Sequence, residues 1–172
     1  MSDTPINAFD IGILEPAVNR DYLPQPIPSP RDNEIVGLLS QVVAENRVAQ
    51  FARQVKHGHA VVLRVFAERA AATAVRNSDP PLLRMAMIGL LLSWSELDSR
   101  ETLIVFPVLY DAILRMGIDV EIFAASIRRT VGDQLALPLE NFLKRSEHNK
   151  SLESMGYTTE GDGGGFRYVR TW

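Results

Sequence analysis

Four glycines fall within five positions, Gly161, Gly163, Gly164 and Gly165 of the stretch EGDGGGF, and glycine clusters of this kind can cradle phosphate. The chemistry requires a strand before the loop and a helix after it, because the helix N-terminus supplies the N–H groups and the positive dipole end. The Walker form also requires Lys followed by Ser or Thr. Here Phe166, Arg167 and Tyr168 follow instead, and the glycine spacing does not give the dinucleotide fingerprint. The pattern fits a hairpin: β-prone residues GYTTE, glycines that supply positive φ angles, and an alternating return FRYVRT. The stretch is therefore expected to be a β-ribbon, with Phe166, Tyr168 and Arg170 on one face and Arg167 and Val169 on the other. A two-stranded ribbon alone is marginal in water, so its aromatic face is expected to pack on the rest of the chain. Arg167, Arg170 and Trp172 are the residues left for contact with a partner, being of the types enriched at binding hot spots.

Acidic residues cluster once, as Glu96, Asp98 and Glu101 in SWSELDSRE. A general acid and base would need a shared cleft and perturbed titration. The competing reading is structural, since D-S-R-E is a capping box in which Asp98 caps a helix and Glu101 reaches back. Trp94 and Glu96 next to it are candidate partner contacts, and a ligand or enzyme cleft would be drawn around Trp94, Glu96, Asp98 and Asp111. His57 and His59 are two apart, which on a helix points them to different faces, unlike the four-residue spacing of helical zinc ligands. With no cysteine in the chain, disulfides, thiolate metal sites and cysteine nucleophiles are excluded. No Gly-x-Ser-x-Gly, His-Glu-x-x-His or calcium-loop pattern occurs. No catalytic residue, metal site or cofactor is expected.

Basic residues gather at Arg47, Arg53, Lys56, Arg64, Arg69 and Arg76, with Glu68 the one acid between them. On one continuous helix these charges split between two faces, so a nucleic-acid surface is disfavoured against a solvated helix face. The net charge of −3 over 172 residues gives no chain-wide basic field.

The elements that must position these residues are helical. Pro5, Pro16, Pro24, Pro26, Pro28 and Pro30 hold six of the ten prolines, so residues 1–30 are expected as an extended strap over the body. A helical domain is expected over 31–150 and the hairpin tail, packed on it, over 151–172. Ser29, Pro30 and Asp32 start the first helix, whose Ile35, Leu38, Leu39, Val42 and Val43 have helical spacing. A second spans about Asn46 to Asn77, with Gly58 the expected break or kink. A third starts at Ser78 or Asp79. Its run MAMIGLLL is apolar on nearly every face, which places it at the centre of the core. Asp98 opens the fourth, stopped at Gly117 and kinked at Pro107. Asp119 opens the fifth, stopped near Gly132, and the sixth, DQLALPLENFLKRSE, is expected to be interrupted at Pro138. The fold class is all-α, a bundle or short HEAT-like stack of about six helices. The echo of IVFPV and LALPL around prolines 31 residues apart suggests the stack.

The segments PPLLRMAMIGLLLSW, LYDAILRMGID and SLESMGYTTEGDGGGFRYVRTW resemble small uncharacterised bacterial helical proteins. In these a helical body ends in a Met-Gly-aromatic segment and a Gly-Phe-Arg-Tyr tail. The resemblance covers roughly the last hundred residues and carries no established activity, so it transfers no site residue.

No basic start followed by an apolar run opens the chain, and MAMIGLLL is too short to cross a bilayer, so a cytoplasmic protein without a membrane partner is expected. The leading expectation is a non-enzymatic protein-binding module of immunity-like or adaptor kind. The alternatives are a small-molecule binder or enzyme with a carboxylate-lined cleft, and nucleic-acid binding through Arg47 to Arg76. Self-association stays open.

Overall fold

The computed structural model describes residues 11–15, 30–154, 157–162 and 165–170. The chain divides into two compact units, Met1–Ala136 and Leu137–Trp172. Seven α-helices occur among the described residues, and the all-α expectation holds: α1 (Pro30–Ala44), α2 (Val48–Ala52), α3 (His57–Asn77), α4 (Pro80–Ser93), α5 (Ser99–Arg115), α6 (Val120–Val131) and α7 (Asp133–Ser154). No helix among those residues is long and apolar enough to cross a membrane.

Local chemistry sets five of the helix ends. Asp79 accepts from the Leu82 N–H at 3.2 Å and Asp119 from the Ile122 N–H at 3.0 Å, each satisfying a donor that the first turn leaves open. At α5 the box closes in both directions. The Glu101 N–H donates to Asp98 Oδ1 at 2.9 Å and the Asp98 N–H to Glu101 Oε2 at 3.1 Å. Gly117 (φ 67°) and Gly132 (φ 91°) end α5 and α6 in backbone conformations that a side chain would strain.

The first unit is a bundle built around α4. Every residue from Ala86 to Ser93 is buried, and α4 packs against α1, α2, α3, α5 and α6. The most extensive helix–helix packing is between α3 and α4. Ala67, Ala70, Ala71 and Ala74 give α3 a small-residue face, and Gly89 leaves room on α4. A Cβ at Gly89 would lie 3.4 Å from Leu39 and 3.6 Å from both Leu63 and Phe66.

The stretch from Asn46 to Asn77 is not one helix kinked at Gly58. It breaks earlier, at residues 53–56, and Gly58 lies in the first turn of α3. Lys56 is extended (φ −95°, ψ 170°) and its N–H donates to His59 Nδ1 at 3.3 Å, so the histidine side chain does the capping. The expected interruption at Pro138 is likewise absent, since α7 runs through it. Proline there removes the N–H that would reach Gln134 and crowds the Gln134 carbonyl, and the helix continues on both sides.

Only Ile11–Glu15 of the N-terminal stretch is described; residues 1–10 and 16–29, with the expected cap Ser29, lie outside the described residues. Ile11–Leu14 forms a 3₁₀ turn that packs on α1 and α3, with Leu14 0% exposed. Buried Arg31 holds it by its backbone, donating from Nε to the Ile13 carbonyl at 3.4 Å and from Nη2 to the Glu15 carbonyl. From α3, His59 Nε2 meets Glu15 Oε1 at 2.8 Å. Asp32, in the first turn of α1, pairs with Arg69 of α3 at 3.1 Å.

In the second unit, Tyr157–Asp162 (β1) and Gly165–Arg170 (β2) pair antiparallel, Tyr157 opposite Arg170 and Asp162 opposite Gly165.

Candidate functional site

The residues expected to form a carboxylate cleft do not converge. Asp98 and Glu101 are used up in the α5 cap. Asp111 is exposed and pairs with Arg115 one turn on, at 2.6 Å. It lies 13 residues from Asp98 along the same helix, about 20 Å at 1.5 Å per residue, too far to share a proton or a substrate atom. Glu96 is exposed on the 3₁₀ turn Trp94–Glu96, where its backbone carbonyl accepts from His57 Nδ1 at 2.8 Å. Trp94 is half-buried and stacks at a tilt on Phe106, with ring centroids 4.8 Å apart. So Trp94 and Glu96 share one turn, but the turn is a bracket between α4 and α5 with no acid–base pair in it.

The histidines also have structural partners. The Lys56 N–H donates to His59 Nδ1, which leaves the ring proton on Nε2, pointing to Glu15. Among the described residues no three His, Cys, Asp or Glu side chains group as a metal site. His148 lies in α7, and its side chain lies outside the described residues, as do the side chains of Arg167 and Arg170 on β2 and all of Trp172.

The basic region is divided. Arg64 pairs with Glu68 at 3.2 Å and Arg69 with Asp32 at 3.1 Å, while Arg47 donates to Gln50 at 2.9 Å. Lys56 stands before the first residue of α3 and Arg76 in its last turn, about 30 Å apart over 21 residues. No continuous cationic face for a phosphate backbone results.

What the first unit does hold is an open groove of about 540 Å³, a size usual for ligand and peptide sites. Its base is the N-terminal half of α4, through Leu82 and Met85. Val36 and Ser40, one turn apart on α1, form one wall, and Ile122, Phe123 and Ser126 of α6 form the other. The groove exists because each flanking helix spends its main stripe on the core: Ile35, Leu38, Leu39 and Val42 from α1, Phe123, Ile127 and Val131 from α6. Val36 and Ile122 fall on the next row round each helix, above α4. Ile122 is 67% exposed at the rim.

Besides Ser40 and Ser126, two charged groups interrupt the apolar lining. Asp79 is committed to the α4 cap. Arg84 reaches to α6, donating from Nε to Ser126 Oγ at 3.2 Å and from Nη2 to Thr130 Oγ1. A second apolar surface lies on α5, where Ile104, Val108 and Leu114 are exposed, but a single helix face offers no concavity.

Comparison of the chain with protein-family models, with curated proteins and with solved structures gives no match.

The groove residues were not among those singled out from the sequence. The available cue was Ile122: in DVEIFAASIRRTV the four-residue rhythm of Phe123, Ile127 and Val131 completes the core stripe and leaves one large apolar residue over.

Proposed function

We propose that this protein is a non-enzymatic protein-binding module, of immunity-like or adaptor kind, that receives the apolar face of a partner helix in the groove between α1, α4 and α6. The observation that carries the reading is the exposed Ile122 at the rim of an open apolar trough. A large aliphatic side chain so placed gains by being covered, and a trough walled by two helices suits the i, i+3, i+4, i+7 anchors of an amphipathic helix. An acid–base enzyme cleft is the weaker reading, since the carboxylates proposed for it cap a helix or pair on the surface. Trp94 and Glu96, with Arg167, Arg170 and Trp172 of a β-hairpin tail, remain proposed as additional contact residues. The bacterial setting rests on the resemblance of PPLLRMAMIGLLLSW, LYDAILRMGID and the C-terminal tail to small bacterial helical proteins.

The test uses phage-displayed 16-residue helical peptides selected on the full chain, with Ile122→Asp and Ile104→Asp as comparison proteins. Ile122→Asp should abolish binding and Ile104→Asp, on the α5 face, should not. Binders indifferent to Ile122→Asp would sink the groove reading.

A further inference from the structure

We infer that the groove selects a partner helix carrying one carboxylate on or beside its apolar face, and that Arg84 receives it. The inference rests on the groove reading above and adds the chemistry of the partner.

Arg84 differs from three other arginines of the first unit in what its side chain holds. Arg64, Arg69 and Arg115 each meet a carboxylate, on Glu68, Asp32 and Asp111. Arg84 meets two hydroxyls, of Ser126 and Thr130, and no carboxylate among the described residues pairs with it. Thr130 Oγ1 in turn donates to the Ser126 carbonyl at 3.0 Å, so that hydroxyl is itself fixed to α6. The arrangement orients a guanidinium without neutralising it. Asp79, the other charged group lining the groove, does not supply the missing charge. Its carboxylate accepts from the Leu82 N–H and faces the positive end of the α4 dipole.

A partly buried cation in an apolar trough constrains what can cover it. A wholly apolar occupant would strip water from Arg84 and offer nothing in return, which is unfavourable. A lysine on the occupant would add repulsion. A carboxylate offers the planar, charge-assisted acceptor that guanidinium donors match, and Arg84 uses only two of its five N–H groups on α6. The apolar walls then supply affinity and Arg84 supplies the choice between partners.

The same peptide library tests this, with the selection repeated on Arg84→Gln. On the unaltered chain, Glu or Asp should be enriched at one fixed spacing from the apolar anchors, and the enrichment should vanish on Arg84→Gln. A synthetic peptide from the enriched set should bind the unaltered chain roughly tenfold more tightly than its Glu→Gln counterpart, the size expected of one charge-assisted hydrogen-bond pair. That comparison leaves the protein untouched, so it decides the matter even if Arg84→Gln proves poorly folded. Peptides that need Ile122 but show no acidic preference, and bind equally with Glu or Gln, overturn the inference and leave the groove standing. A library yielding no binder that depends on Ile122 overturns both.

Discussion

Three side chains fasten the N-terminal 3₁₀ turn to the bundle, and they do so by different physics. Leu14 is fully buried and contributes by leaving water, about 1.5–3 kcal/mol for a leucine. Arg31 donates to two backbone carbonyls of the turn segment. His59 holds Glu15 with one ring nitrogen and caps α3 with the other, so one residue couples the turn to the start of a helix. Leu14→Ala should therefore lower the unfolding free energy by about 2–5 kcal/mol, the range for a buried leucine truncated to alanine. His59→Ala should cost about 1–2 kcal/mol through the lost cap and the lost contact together. Glu15→Gln should cost less than either, because the Glu15 side chain is largely exposed and an amide oxygen still accepts from Nε2. Urea titration of the three variants checks the order. A Leu14→Ala protein as stable as the parent would show that the turn is not part of the folded core.

At the scale of elements, two glycines inside helices give opposite tests of packing. Gly37 in α1 has nothing within 4 Å of the position a Cβ would take, so Gly37→Ala should gain about 0.5–1 kcal/mol from backbone entropy alone. Gly89 in α4 faces Leu39, Leu63 and Phe66 at ordinary contact distance. Gly89→Ala should therefore be near neutral or slightly stabilising, whereas Gly89→Leu should lose about 1–3 kcal/mol by overpacking. Thermal melts of the three separate these outcomes. The same scale shows what could be read from sequence. The caps at Asp79, Asp98 and Asp119 and the stops at Gly117 and Gly132 were legible because each depends on residues within one turn. The break before α3 was not, since the histidine that ends it also answers to Glu15, 44 residues away. Nor was the partner of Asp32, which lies 37 residues on. The groove was beyond reach for a related reason: Val36, Met85 and Ile122 become neighbours only once α1 and α6 have settled on either side of α4.

For the first unit as a whole, the central helix determines how the structure should come apart. Because α4 packs against five other helices, loss of the helices that cover it exposes the run from Ala86 to Leu92. A stack of repeats could fray from one end, but a hub cannot, so the helices of this unit should be lost together. Trp94 offers a local probe, because its ring sits on Phe106 at the junction of α4 and α5. In a Trp172→Phe background its fluorescence reports that junction alone, while far-ultraviolet circular dichroism reports all the helices. The fluorescence midpoint should coincide with the helicity loss of α1 to α6, and Leu90→Ala should move the two together while costing about 2–5 kcal/mol. A fluorescence transition that precedes the loss of helicity would mean that α5 detaches while the other helices hold, and α4 would then not be the element on which the bundle depends.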